Sequence, residues 1–255
     1  WGLMLLAYEA VPDETLVDKL LAEYAGITSV TCQVRKDSEG GGESLRLLSR
    51  VYYQKTNRLH VESIHQQLGK SSSDGNSIQR RIVADGSNFY SYVTGDSKGF
   101  SRAVDKLDQD MLISLQKVPG TAMDHLLRLQ GMPETNLPGT AELPVRRGYQ
   151  APKVFVILGL DDSNRLARIE FYSAADQKER VGTYTYSNFQ RVADVWIPCL
   201  HQGVLSRGGS EVHETSRVLN LAINQPIPSH LFIPGPFFKD VEFAATFDEI
   251  YREKK

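Results

Sequence analysis

The 255-residue chain has only two cysteines, Cys32 and Cys199, which excludes a disulfide-rich scaffold and any multi-cysteine zinc module. They lie far apart, and sequence leaves open whether they pair or sit as two separately buried thiols. Charge of one sign is not in excess: 29 Lys plus Arg stand against 31 Asp plus Glu, a formal net charge of -2. Without a basic field, a dedicated nucleic-acid binder is excluded as the working reading. No apolar run reaches the length of a membrane-spanning helix. No fixed-period repeat occurs, and the composition, 41% hydrophobic and 24% charged, excludes wholesale disorder. A chain of this length buries most of its apolar surface without covalent staples.

Catalytic signatures are missing as well. Gly95-Asp96-Ser97-Lys98-Gly99 matches G-x-S-x-G, but a nucleophile elbow needs a helix after the turn, and Phe100 to Val104 reads as a returning strand. Ser114-Leu115-Gln116-Lys117 matches S-x-x-K without the Ser-Asp-Asn and Lys-Thr-Gly strings that accompany it in penicillin-recognising enzymes. Gly69-Lys70-Ser71 resembles the end of a P-loop, yet the first glycine position is Ile64. The six histidines form neither H-x-x-x-H nor H-E-x-x-H, and His213 and Glu214 point to opposite faces of one strand. Asp161-Asp162 reads as a solvated turn, and Arg80-Arg81 and Arg146-Arg147 as surface charge. The reading is therefore non-enzymatic, with no cofactor and no metal.

What is present is amphipathic sheet. The apolar opening Trp1 to Ala7 reads either as the tail of a secretory signal, with Ala10 near a cleavage point, or as a segment packed on the domain. Pro12-Asp13-Glu14 signals a helix start, Leu16, Leu20, Leu21 and Tyr24 share one face, and Gly26 is the stop. The period then changes to two. Val30, Cys32 and Val34 alternate, a loop is expected over Ser38 to Gly42, and Leu45, Leu47, Val51 and Tyr53 alternate with Arg46, Arg50 and Gln54. Leu59 and Val61 continue the pattern, a polar loop follows over Gly69 to Ser77, and Asp85-Gly86 turns a hairpin between Arg80–Asp85 and Asn88–Val93. Asp108 to Gln116 and Thr121 to Gln130 read as short helices. The four prolines between 131 and 152 predict an irregular connection. Strands resume at Val154 to Leu160, Arg165 to Ser173, Arg180 to Phe189, Val195 to Leu205 and Glu211 to Ile223.

Successive up-and-down hairpins without a βαβ rhythm predict a mainly β, α+β fold: one large curved antiparallel sheet, an incomplete β-barrel with a helical lid. Twelve strand aromatics, Tyr52, Tyr90 and Tyr92 among them, add an inventory of rings. Several strands are apolar on both faces, so the second face needs a lid or a ligand.

Four passages carry a family resemblance. Leu20 to Val30 is similar to the opening helix and first strand of the LolA/LolB-like group, the outer-membrane lipoprotein-sorting proteins of Gram-negative envelopes. Ile82 to Tyr92 resembles its aliphatic, Asp-Gly, polar, aromatic hairpin. Asp161 to Tyr172, Gly182 to Phe189 and Trp196-Ile197-Pro198 resemble its later strands, and Asn224 to Pro234 its close. The match runs in order over residues 14 to 236. The resemblance implies a single half-barrel domain over 11–236 with a helical insert at about 105–152. Residues 1–10 would be a signal remnant and 237–255 a C-terminal tail. It further implies a periplasmic carrier of lipoprotein acyl chains or another envelope lipid, with an inner- or outer-membrane protein as a further partner. The alternative is an RseB-like sensor that restrains a membrane protein. Strand alternation within this frame places Leu47, Val51, Tyr53, Leu59, Val61, Phe89, Ile169, Phe171, Tyr184 and Tyr186 on the concave lining. The family's lid-latching arginine has no assignable counterpart, since Arg46 and Arg50 both fall on expected strands, and a LolB-like membrane-inserting loop is not evident.

Overall fold

Strands that alternate apolar and polar residues need partners on both edges and cover on one face. The computed structural model describes residues 14–68, 77–173, 178–207 and 209–251. There the strands meet that demand by joining one sheet of fourteen. The first half of the chain gives α1 (Leu16–Glu23), β1 (Ser29–Gly40), β2 (Glu43–Gln54), β3 (Arg58–Leu68), β4 (Ile78–Asp85), β5 (Asn88–Val93) and β6 (Gly99–Ala103). A 3₁₀ turn over Val104–Lys106 leads to α2 (Gln109–Gln116) and α3 (Met123–Leu129). Then come β7 (Glu134–Leu137), β8 (Val145–Gln150), β9 (Val154–Leu160), β10 (Leu166–Ser173), β11 (Arg180–Val192), β12 (Val195–Arg207) and β13 (Ser210–Ile223), and finally β14 (Phe243–Ala244) and α4 (Phe247–Tyr251).

From edge to edge the order is β14, β6, β5, β4, β3, β2, β1, β13, β12, β11, β10, β9, β8, β7. Each half is a run of hairpins, and the halves join where β1 pairs antiparallel with β13, from Val30 opposite Ile223 to Gly40 opposite Val212. Among the described residues only the two-residue β14 pairs in parallel, along β6. The hairpin β2–β3 turns on the three residues Lys55-Thr56-Asn57, whereas β1–β2 turns on Gly41-Gly42 and β11–β12 on Ala193-Asp194, these two each with both central residues at positive φ. That is the turn whose twist matches paired strands. The expected Ser38–Gly42 loop is thus only two residues long, because Ser38 to Gly40 stay paired with Glu43 to Leu45.

The helix α1 starts later than Pro12-Asp13-Glu14 suggests, and Pro12 and Asp13 lie outside the described residues. The Thr15 hydroxyl accepts from Asp18 N at 3.2 Å and donates to the Asp18 carboxylate at 2.7 Å, a reciprocal cap one residue before Leu16. Val17, Leu20 and Tyr24 are its buried face, with Leu16 and Leu21 half-buried beside it. It packs on α3, and both cover the sheet side carrying Val30, Cys32, Val51, Leu59, Ile169 and Ile197. Cys32 and Cys199 are both buried and unpaired. Burial, and then the neighbouring Cys199, push the Cys32 thiol up to about 12.

Two segments differ from expectation. Residues 131–152 form the hairpin β7–β8 rather than an irregular connection, because Pro133, Pro138, Pro144 and Pro152 all lie just outside the paired stretches, where a missing N–H costs nothing. Residues 237–251 read as a tail but are packed: Ala244 and Ile250 are buried in the core. The 3₁₀ turn Ser229–Phe232 crosses the outer side of β3 and β4, and the Phe237 ring beyond it meets the buried His60 edge-on at 4.5 Å. The proposed signal remnant at 1–10, most of the polar loop from Gly69 and the last residues of the tail lie outside the described residues.

One carboxylate ties the far edge of the sheet to the helices. Glu134 on β7 accepts from Leu16 N at 2.7 Å, from Arg147 Nε at 2.9 Å and from the hydroxyl of the fully buried Tyr149. It satisfies an orphan donor at the start of α1 from 118 residues away. Replacing Glu134 with Ala should cost about 2–3 kcal/mol, because the Tyr149 hydroxyl and the helix N–H are left without an acceptor. Urea unfolding of the variant measures this, and a loss within the ±0.5 kcal/mol typical of surface positions would refute it.

Candidate functional site

The concave face is not filled by the helices. Between the sheet and the segment joining α2 to α3 lies a cavity of about 340 Å³. Its walls come from β1, β2 and β3 on one side and β11, β12 and β13 on the other, so six consecutive strands converge on one space. At the usual spacing those strands would span ~24 Å if flat, so convergence on a cavity of this size requires a strongly curled sheet. The volume falls at the small end of the ~300–1,000 Å³ range of small-molecule pockets.

The floor is aliphatic and aromatic: Val34, Val51, Leu59, Val61, Val218 and Tyr186. These residues face inward because each holds the inward phase of its strand; Val51 stands opposite Val61, for example. The roof is the turn Val118-Pro119-Gly120-Thr121. Gly120 has φ +82°, and a Cβ there would sit 2.8 Å from the Val218 side chain, so only glycine lets the roof approach this closely. Gly203 does the same on β12, where a Cβ would lie 2.6 Å from the Tyr184 ring.

The roof is tied down without arginine. The Tyr53 hydroxyl donates to Gln116 O at 3.2 Å, and His201 donates to Pro198 O at 3.1 Å while also reaching the Gly120 backbone. Arg46 and Arg50, the two considered for a latch, point to the opposite side of the sheet.

Polar groups occupy one wall. Lys36 Nζ lies 2.9 Å from Glu214 Oε1, and the Tyr184 hydroxyl donates to Glu214 Oε2 at 3.2 Å. Glu214 is almost wholly buried and the ion pair is completed by that hydroxyl, the arrangement a buried carboxylate requires. Lys117 and Asp124 form a looser pair at 3.8 Å on the roof. His125 keeps some surface on the cavity but is otherwise enclosed by rings, 5.1 Å from Tyr184 and 5.4 Å from Phe171. Burial depresses its pKa, with Asp124 opposing and Lys117 and Arg128 adding to the shift. Burial likewise depresses the pKa of His201, edge-on at 5.0 Å from Tyr186, against the opposing hydrogen bonds to the Pro198 and Gly120 backbone.

Of the ten residues assigned to the lining from alternation, Val51, Leu59, Val61, Tyr184 and Tyr186 meet around this cavity. Phe171 lies just behind it, against His125 and Tyr184. Leu47 shares the face but sits toward the open end, half-buried and outside the cavity. Tyr53, Phe89 and Ile169 are sealed in the core under the helices and do not reach it. Alternation identifies a face but not a position along it. Val34, Val218, Lys36, Glu214, His125 and His201 line the cavity without having been assigned to it. Lys36 carried a signal, being in phase with Val30, Cys32 and Val34.

The remaining motifs are accounted for locally. Ser97 is exposed in the β5–β6 turn. Ser114 donates to Asp110 O at 2.9 Å, and Lys117 pairs with Asp124. Asp161 closes a turn by accepting from Ser163 N and Arg165 N. Among the described residues no group of three His, Cys, Asp or Glu side chains could hold a metal ion, and no helix is long and apolar enough to cross a membrane.

No family profile matches the chain, and no curated protein matches it. Solved structures do. A domain of proposed outer membrane lipoprotein-sorting function from Vibrio parahaemolyticus superposes with a TM-score of 0.52 at 11% identity, over 85% of this chain and 94% of that one. A LolA superfamily protein from Nitrosomonas europaea gives 0.47 at 14% identity, over 88% and 98%. A DUF1329 family protein from Desulfovibrio piger gives 0.44 at 12%, over 85% and 94%. The first of these establishes the fold: an α+β architecture with a LolA-like curved antiparallel sheet and helical lid.

The buried histidines have a consequence for stability. Above pH ~6.5 His125 is neutral in both folded and unfolded chains and its contribution is complete; below that, the unfolded chain binds the proton first and stability falls. Unfolding in urea should therefore require less denaturant at pH 5.5 than at pH 7.5. His125→Phe, which keeps a ring between Phe171 and Tyr184, should reduce the difference, with the remainder set by His60, His65 and His201, whose pKa values burial also depresses. An unchanged difference in the variant would show that His125 is not held neutral.

Proposed function

We propose that the chain is a non-enzymatic periplasmic carrier that holds an acyl chain, of a lipoprotein or another envelope lipid, in the covered groove between the sheet and the α2–α3 segment. The supporting observation is the cavity of about 340 Å³ with an aliphatic floor and a roof held by a few hydrogen bonds. The lipoprotein-sorting role proposed for the Vibrio parahaemolyticus domain agrees with this reading.

Alkyl chains offer no hydrogen bonds, so an unspecific lining of Val34, Val51, Leu59, Val61 and Val218 suits them. Burial stabilises each methylene by ~0.8 kcal/mol, so ~10 methylenes inside contribute ~8 kcal/mol. Lost translational and rotational freedom offsets ~4 kcal/mol or more of that. The balance is binding firm enough for transfer and weak enough for release. The Lys36–Glu214–Tyr184 cluster then meets the polar end of the cargo at the wall, where its own partners already satisfy it.

Val61→Trp places an indole in the cavity and should weaken binding of a fluorescent acyl probe at least tenfold, with the β-rich circular dichroism unchanged. Val34→Asp, which introduces a charge instead of bulk, should do the same. Probe affinity unchanged in both folded variants would refute the groove as the binding site.

A further inference from the structure

We propose that the outer face of β13, β1, β2 and β3 docks on a membrane surface rich in anionic phospholipid. This goes beyond the carrier reading, because the face is the opposite side of the sheet from the groove.

The strand registers lay out the face row by row. One row runs Leu219, Gln33, Arg50, Glu62, Arg81 across β13, β1, β2, β3 and β4. The next runs Arg217, Arg35, Leu48, Ile64, Gln79. The third runs Thr215, Asp37, Arg46, Gln66. Five guanidinium groups thus stand on three rows with two carboxylates, in a chain whose overall charge is -2.

Exposure sets Asp37 apart from its arginines. Asp37 lies within 4.0 Å of Arg35, Arg46 and Arg217 and is only 18% exposed. Burial raises its pKa, but the guanidinium groups of Arg46 and Arg35 outweigh that and hold it below the usual carboxylate range. Glu62 is held between Arg50 and Arg81 and is 35% exposed, within the 31% to 56% range of the five arginine side chains. Solvent therefore meets five guanidinium groups, with Asp37 set beneath three of them and Glu62 level with its two.

Between the arginines the face is aliphatic. Leu48, Ile64 and Leu219 are 37%, 38% and 46% exposed, and with Arg35, Arg50 and Glu62 they bound a shallow groove of about 300 Å³. Val204 on β12, also outward and 38% exposed, extends the patch. Half of the large hydrophobic side chains that stand exposed among the described residues belong to this one face. Exposed aliphatics amid guanidinium groups match the two layers of a lipid surface, phosphate outside and hydrocarbon just beneath. Each arginine near an anionic leaflet strengthens binding about fivefold.

The test is flotation with vesicles at low salt. The native chain should float with phosphatidylcholine vesicles containing one third phosphatidylglycerol, and not with phosphatidylcholine alone. The pair Arg50→Gln and Arg217→Gln removes two groups that contact carboxylates only at 3.8 and 4.0 Å, so the ladders stay intact. It should weaken vesicle binding about 25-fold and leave acyl-probe binding in the groove unchanged. Val61→Trp should do the reverse. Equal binding to neutral vesicles, binding unaffected by the arginine pair, or no vesicle binding at all would overturn the proposal; the last outcome would return the face to a protein partner. Vesicle binding lost in Val61→Trp would overturn it too, by assigning the effect to lipid entering the groove.

Discussion

A fourteen-stranded sheet with one apolar face has more surface to cover than the described residues have helix to cover it with. Flat, the sheet would be ~60 Å wide, and the helices lying over it, α1, α2 and α3, have eight, eight and seven residues. Curling brings the sheet's own strands over its inner face, and the three helices pack there in the same core. The cavity is the space that the α2–α3 segment roofs without filling. The cavity is thus a consequence of topology, and its apolar floor a consequence of strand alternation.

That economy depends on a few long-range ties. The β1–β13 ladder joins two halves that are each a local meander, so it fixes which strands face one another across the groove. Glu134 secures the start of α1 to the β7–β8 edge, and β14 with α4 covers the other edge. A one-residue slip of β1 on β13 would exchange the inner Val34 and Lys36 for the outer Gln33 and Arg35, mixing the two faces. The separation of a lipophilic inside from an arginine-rich outside rests on that register.

Much of this is legible in the sequence, and what is not has identifiable causes. Period-two alternation places Val51, Leu59, Val61, Tyr184 and Tyr186 on the inner face because side-chain direction is a local property of a strand. It cannot separate them from Tyr53, Phe89 and Ile169, which share the face but lie under helices whose positions are set by distant contacts. The β7–β8 hairpin escapes notice because its four flanking prolines look like breakers until the pairing shows them outside the ladder. Lys36 and Glu214 are in phase with inward valines, but a search for apolar residues passes over them. The outer arginines were visible as the polar half of the alternation; their clustering is not, since it arises from register across five strands. The short helix α1 was recognisable, though its cap sits at Thr15, where a Thr and an Asp three residues later mark the start.

The central claim is that the cavity between sheet and lid holds an acyl chain. Native mass spectrometry of the chain purified from a bacterial envelope fraction, followed by solvent extraction, tests it most directly. The account predicts an added mass that extracts as a lipid or an acylated peptide. A clean apo mass, with no uptake when acyl lipid is supplied, would contradict it.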